Sequence, residues 1–485
     1  WVDTIACLGA YQTHRGAAIP GYFYVSSLPG PYKLGALWCR VRGAYTNTPP
    51  VHAYRGAGGP EAVFLMERLI DTGARALGLD PCQVRRRNLI GREEFPYRSA
   101  ADVVYDSGDP PGLLDRLAAL ARYDELRAEQ RRLRGQGVLM GIGLSGLIES
   151  FGAPSCVVGA IFRHTSGWDR AVVRVHPTGK VTVLSGAHSH GQGHATTFAQ
   201  IAADRLGCAI DDVEVVEGDT DRVPFGHGTF ASRSTVTTGM AIVRAADRIR
   251  ETCARIAAHM LECSEEDIER RHGSFAIRGT DRRVDFGEVV AAAHRADSLP
   301  DGVAPGLEES VTFDPSHATT AIAMHLAVVL VDPDTGRVML RDYAAVDDSG
   351  RIINPLIVEG QVHGGLAQGI GQALMEHVAY DHSTGQVLAA SFMDYAMPRA
   401  DDLPSFLTAL QETPTPHNAL GAKGAGESGT AGAPGAVANA VVDALSHLGV
   451  RHIDMPLSPF RVWRAIRGVP PSDRPGVDNR AGRTI

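Results

Sequence analysis

Five short segments, four of them combining glycine with polar side chains and one made of alanine, serine and arginine, are where this 485-residue chain could do chemistry. In order they are Ala53-Tyr54-Arg55-Gly56-Ala57-Gly58-Gly59-Pro60-Glu61, then Gly191-Gln192-Gly193-His194, then Ala231-Ser232-Arg233-Ser234. The last two are Gly360-Gln361-Val362-His363-Gly364-Gly365 and Gly421-Ala422-Lys423-Gly424-Ala425-Gly426-Glu427-Ser428-Gly429. Glycine allows positive φ and close backbone approach. A Gly-rich turn that opens a helix leaves free N–H groups at the positive end of the helix dipole, which suits phosphate oxygens. Four such turns could hold a large phosphate-bearing cofactor, although each alone is more often a plain tight connection.

Other motifs are weaker. Gly424-x-Gly426-x-x-Gly429 spells a dinucleotide fingerprint, but Pro414, Pro416, His417 and Asn418 precede it where a strand is required. Lys423 is followed by Gly424 rather than Ser or Thr, so this is no P-loop. His188, His190 and His194 resemble a metal cluster, yet the turn Gly191-Gln192-Gly193 keeps them off one helical face, and turn histidines bonded to backbone or ligand are the preferred reading. Taken alone, Glu427 reads as a helix amino-terminal residue favoured by the dipole before a helix over 435–445.

The elements that would position these segments follow from periodicity. Pro60 and Glu61 mark a helix start, and Ala62, Leu65, Met66, Leu69 and Leu77 recur at helical spacing up to Gly78. Before Val51 the sequence reads as irregular and Pro-rich. A charged helical stretch over 111–134 ends near Gly135-Gln136-Gly137, and residues 105–137 are the expected domain connection. Alternating apolar residues give β-hairpins over 171–184 and 322–344, each followed by a Gly-rich turn and a helix, over 194–206 and 364–377 respectively. That is a pattern of strand, strand, turn, helix that occurs twice. From Pro470 onward Pro, Asp, Arg and Gly give an extended or disordered tail over 470–485.

Composition narrows the function. A net charge of -8 with no long basic stretch argues against nucleic-acid binding. The longest apolar stretch, 321–331, is interrupted by His325 and falls well short of the roughly 20 residues of a membrane span, so it reads as a buried strand. The seven cysteines are scattered singly, without a Cys-x-x-Cys pair, which puts any iron–sulfur relay on another chain and points to reduced thiols in a cytoplasmic protein.

In this order and at these separations the five segments resemble the molybdopterin-binding large subunits of the xanthine oxidase, aldehyde oxidase and aerobic carbon monoxide dehydrogenase family. The resemblance runs from about Gly43 to Val469 and is carried by 53–62, 191–207, 346–371 with Asn354-Pro355 and Gln361, and 421–445. It implies an α/β (α+β) fold of cofactor-binding domains with mixed sheets and flanking helices. Residues 1–105 would be the carboxy-terminal part of a first such domain and 106–469 a second. It also implies a molybdopterin cofactor, in cytosine dinucleotide form, whose dithiolene holds molybdenum without protein ligands. Glu427 falls on the catalytic base of an oxidative hydroxylation. Gln192, Gly193, Ser232, Ser234 and Gln361 fall where relatives hold the pterin and its phosphates, with Lys423 close by and Arg55 beside the metal. Gly56 and Ala57 face the substrate, and Glu149 with Ser150 lies near the pocket, Glu149 as a substrate contact or a structural pair member. Electrons would leave through a [2Fe–2S] small subunit and an FAD-binding medium subunit.

Departures qualify what the resemblance implies. Where carbon monoxide dehydrogenases carry a copper-binding cysteine this chain has Gly56, and a glycine offers no thiolate to Cu(I). Where purine-oxidising relatives carry a phenylalanine it has Ala57, which removes a stacking face. Aldehydes, N-heterocycles and other activated C–H substrates remain as substrate classes. Relatives also carry a further amino-terminal region, so the chain is read as a fragment or as one half of a split subunit whose other half is a separate polypeptide. The rival readings are a scaffold that docks redox partners without catalysis, carbon monoxide dehydrogenase-like activity without the cysteine and, more distantly, a nicotinamide dehydrogenase.

Overall fold

The computed structural model describes residues 1–162, 165–223, 225–381 and 383–469, so the tail expected from Pro470 lies outside the described residues. The stretch before Val51 is not all irregular: β1 (Val2–Cys7) and β2 (Cys39–Ala44) pair in parallel. Residues of β1 alternate only between half-buried and exposed, which leaves little apolar period-two signal to read.

Helix α1 (Gly59–Ala76) starts at the glycine turn with Pro60 in its first turn. Its buried face is the expected one only in part: Ala62 and Met66 are buried and Leu65 packs against them. Leu69 and Leu77 are exposed, whereas Glu67 and Asp71 are buried. Both acids meet Arg85, itself fully buried, on α2 (Pro81–Asn88). Arg85 Nε donates to Glu67 Oε2 at 2.9 Å, Nη1 to Asp71 Oδ1 at 2.7 Å, and the Tyr32 hydroxyl donates to Glu67 Oε1 at 2.6 Å. Arg68 Nη1 reaches across to Asn439 Oδ1 at 2.8 Å, which fixes the amino-terminal part to the centre of the molecule.

The single helix expected over 111–134 is two, α3 (Pro110–Leu120) and α4 (Tyr123–Arg134), broken at Arg122 with φ 51°. The break lets Leu113, Leu114 and Leu117 and then Tyr123 enter one core with Tyr32, Leu89 and Met324. Within 105–137, Tyr105, Leu113, Leu114, Leu117 and Tyr123 are thus packed into this core.

After β3 (Leu139–Phe151), β4 (Asp169–Val175) and β5 (Val181–Ser185) form the expected antiparallel hairpin. Helix α5 (His194–Leu206) crosses over to β6 (Val213–Val216), which lies parallel to β5, and α6 (Ser234–Met260) follows. Antiparallel to β4, β7 (Leu307–Phe313) completes the four-stranded order β7-β4-β5-β6. The second unit repeats this path. β8 (Thr319–Val331) and β9 (Val338–Asp348) form a hairpin, α7 (Pro355–Leu374) crosses to β10 (Phe406–Gln411) parallel to β9, and α8 (Ser428–Leu445) follows. Strand β3 takes the place of β7, giving β10-β9-β8-β3. The twofold pattern read from the sequence is a repeat of topology.

Two helix boundaries differ from expectation. α7 begins at Pro355 behind an Asn354 cap, so the segment 360–365 lies inside a helix instead of forming a turn. Its glycines serve packing: a Cβ at Gly365 would lie 3.0 Å from the Cα of Gly429 on α8. α8 begins at Ser428 rather than Gly435 and is buried along its whole length. It lies so close on β3 that a Cβ at Gly141 or Gly143 would fall 1.9 or 2.1 Å from the carbonyl oxygen of Ala440 or Ala436.

Candidate active site

Corresponding points of the two units meet. The start of α5 abuts the start of α7, where a Cβ at Gly193 would lie 2.5 Å from Ile357 Cδ1 and Asn354 Nδ2 donates to Gln200 Oε1 at 2.8 Å. The loop into α6 abuts the loop into α8, where Ser232 Oγ donates to Glu427 Oε2 at 3.0 Å. Between these contacts and the loop 53–57 lies a cavity of about 770 Å³. Arg55, Gly56, Ala57, Glu149, Gln192, Ser232, Ser234, Gln361, Lys423 and Glu427 all line it. Gly193 does not line it; with φ 78° it turns the chain into α5.

Glu427 stands at the N-cap position of α8, but its side chain caps nothing. Its Oε1 accepts from the Gly56 N–H at 3.0 Å, and Oε2 accepts from Ser232. Burial raises its pKa above the usual carboxylate value, while the Gly56 N–H, Ser232 and the nearby Arg55 charge pull against that rise. Ser232 and Ala231 both adopt left-handed φ, 47° and 49°, strain of the kind that concentrates at functional sites.

Arg55 ties three elements together. Nε donates to the Gly426 carbonyl, Nη1 to Gln368 Oε1 at 2.9 Å, and Nη2 to Gln361 Oε1 at 3.0 Å. Gln368 was invisible as a site residue in the sequence, although two helical turns after Gln361 put it on the same face of α7. Ser234 Oγ pairs with Thr229 Oγ1 at 3.0 Å, and Gln192 folds back so that its amide meets His194 Nε2 at 3.1 Å. Lys423 is buried, with its ammonium on the Ser107 carbonyl at 2.9 Å, so this donor is held by the protein itself. Of the histidines, His188 and His190 face each other at 2.9 Å, while His194 pairs with Glu217 at 3.1 Å. Among the described residues no group of His, Cys, Asp and Glu has a metal-holding arrangement.

Glu149, near the end of β3, is the buried acid with the least support. Its Oε2 has no hydrogen-bond partner among the described residues. Burial raises its pKa far above the usual carboxylate value, and the charges of Glu427 and Asp347 add to the rise. Asp347 on β9, whose Oδ1 accepts from Ser428 Oγ at 2.6 Å, is likewise pushed by burial up to about 6.

A large phosphate-bearing group suits this cavity. Helices α5, α6 and α8 all start without a side-chain cap, and His194, Ser234 and the N-cap residue Glu427 at these starts line it, so helix starts whose first N–H groups have no intrahelical partner converge on it. Gly191, with φ 96°, and Gly426, where a Cβ would lie 2.7 Å from Ser232 Oγ, keep the walls to bare backbone.

Sequence and structure comparisons agree with one another. Two family models described as molybdopterin cofactor-binding domains match residues 1–89 and 116–404. The chain is similar to the carbon monoxide dehydrogenase large chain of Hydrogenophaga pseudoflava, with 39% identity over 92% of this chain and 56% of that protein. It is also similar to the nicotine 6-hydroxylase large subunit of Paenarthrobacter nicotinovorans, with 39% identity over 91% of this chain and 54% of that protein. The crystal structure of quinoline 2-oxidoreductase from Pseudomonas putida 86 superposes with a TM-score of 0.89 at 38% identity, over 96% of this chain and 59% of that one. The chain thus spans little more than half the length of the relatives it matches. With both models matched and the mixed α/β fold shared, the chain belongs to the molybdopterin cofactor-binding domain family of the large subunits of molybdenum hydroxylases.

Proposed function

We propose that this chain is the cofactor-binding, catalytic part of a molybdenum hydroxylase that inserts oxygen from water at an electron-poor C–H carbon of an aldehyde or an N-heterocycle. The observation that carries this reading is Glu427, a carboxylate oriented by two donors at the wall of a cavity edged by uncapped helix starts. The molybdenum pterin, when bound, supplies the two-electron redox chemistry. The protein's part is to hold it and to move protons. Uncapped starts of α5, α6 and α8 offer N–H donors to its phosphates, in the cytosine dinucleotide form by this proposal, with Gln192, Ser232, Ser234 and Gln361 as polar neighbours. Arg55 fixes the Gly56 loop against α7 and α8, so that the Gly56 N–H holds Oε1 of the base. Glu427 then accepts a proton as the C–O bond forms, and its raised pKa makes it a stronger base than a surface carboxylate.

Similarity to nicotine- and quinoline-acting enzymes favours N-heterocycles. Gly56 argues against a copper-dependent reaction, because no thiolate is available at that point of the loop. Electron transfer is assigned to [2Fe–2S] and FAD subunits, in keeping with the description of the relatives as large subunits.

The test is Glu427→Gln in the purified complex. This change keeps shape and donors' partners while removing the base, so turnover falls by at least ~10²-fold with molybdenum content unchanged. Unchanged turnover would sink the assignment.

A further inference from the structure

Glu149 and Glu427 line one cavity but are treated differently by the fold. Glu427 accepts two hydrogen bonds, one from the Gly56 N–H and one from Ser232. Glu149 is buried, and its Oε2 meets no donor among the described residues. On its other side Oε1 is packed against the start of α1, where a Cβ at Gly59 would lie 2.7 Å away. The groups that face it electrostatically are Glu427 from the loop into α8, Asp347 from β9 and Arg55 from the loop into α1. Two of these three are acids. The third, Arg55, already donates from each of its three nitrogens to Gly426, Gln368 and Gln361.

A carboxylate in such a place would be a buried charge with no counter-ion in contact and with Oε2 unbonded among the described residues, a costly arrangement in a protein. A neutral carboxyl is a different object. It has one O–H to give, and Oε2 meets no acceptor among the described residues. Two acids in one site whose surroundings drive their proton affinities apart divide into an ionised and a neutral partner.

We propose, resting on the molybdenum hydroxylase reading, that Glu149 is the neutral acid of this site and donates its hydrogen bond to an acceptor atom of the substrate next to the reacting carbon. The acceptor is a carbonyl oxygen or a ring nitrogen. Such a bond selects substrates that carry an acceptor at that position and polarises the carbon that Glu427's partner reaction attacks. Burial and the two neighbouring acids hold the proton on Glu149 at neutral pH, which agrees with the direction of its shift.

The experiment has two readouts on the purified complex. Infrared spectra recorded across a pH titration will contain a protonated carboxyl band at neutral pH that disappears in Glu149→Gln. This measurement does not depend on turnover, so it separates failure of this proposal from failure of the hydroxylase reading. Kinetics with N-heterocycles supply the second readout. Glu149→Leu, which donates nothing, loses roughly tenfold in kcat/KM, whereas Glu149→Gln, which still donates an N–H, loses no more than about threefold, in line with the worth of one neutral hydrogen bond. The alkaline limb of the pH profile that belongs to Glu149 vanishes in Glu149→Gln. Absence of the infrared band at neutral pH overturns the proposal even if the leucine variant fails to fold. So does equal kcat/KM for the leucine and glutamine variants at equal molybdenum content.

Discussion

Two clusters of buried acids in this protein are built on opposite principles. Beside α1 and α2, Glu67 and Asp71 share the fully buried Arg85, and Tyr32 adds a further bond to Glu67. At the cavity wall Glu427 and Glu149, together with Asp347 on the neighbouring β9, have no cation in ion-pair contact among the described residues, and Glu149 and Asp347 each keep an oxygen without a partner there. The first cluster holds the fold together; in the second no cation offsets the acids' raised proton affinity, and Glu149 and Asp347 keep hydrogen-bonding capacity that the fold does not use. Buried charge alone does not distinguish structure from chemistry. What distinguishes them is whether the protein itself satisfies the acid.

The comparison can be broken from its structural side first. Arg85→Ala leaves Glu67 and Asp71 buried without their counter-ion, and should cost about 3–5 kcal/mol of stability, read by chemical denaturation. If that variant unfolds at the same denaturant concentration as the unmodified chain, the cluster is not the tether described. Glu427→Gln is the converse: a loss of turnover of at least ~10²-fold, or about 2.7 kcal/mol, with little change in the unfolding midpoint.

Smaller effects sharpen the contrast. Ser232→Ala removes a donor that holds Glu427's pKa down. The base then stays protonated to higher pH, so the acid limb of the kcat/KM profile moves upward, with a loss of about 3–10-fold below neutrality. A limb that stays still or moves down contradicts the assigned bond. Asp347 is read through stability rather than turnover. Because its folded pKa, about 6, lies above the unfolded value of 3.8, its ionisation opposes folding at high pH, and that penalty fades as pH falls through 6 towards 3.8. Asp347→Asn should therefore be more stable than the unmodified chain by up to about 3 kcal/mol at alkaline pH, with the difference vanishing at roughly pH 4.

The sequence makes much of the scaffold legible because its strands are governed by local alternation: β4 with β5 and β8 with β9 are found where the apolar pattern and the turns put them. It misplaces the start of α7 because Gly364-Gly365 looks like a turn until the contact with Gly429 of α8 explains why a helix carries glycine there. In the same way the buried face of α1 could not be read from its leucines, since Glu67 and Asp71 become core residues only when Arg85 arrives from another helix. Glu427 emerges from family resemblance, not from any property of a lone glutamate among glycines. Its two donors, Gly56 and Ser232, come from segments far away in the chain. For Glu149 the sequence leaves a substrate contact and a structural pair equally open; only the three-dimensional surroundings reveal the oxygen without a partner.

The most direct test of the central claim, that this cavity holds a molybdenum pterin, is elemental analysis for molybdenum together with fluorescence of released pterin. It is made on the full chain co-expressed with its neighbouring open reading frames in a host that makes the cofactor. The account predicts molybdenum and pterin in near-equal, near-stoichiometric amounts with the chain. A folded chain, in complex with those partners, that carries neither would contradict it.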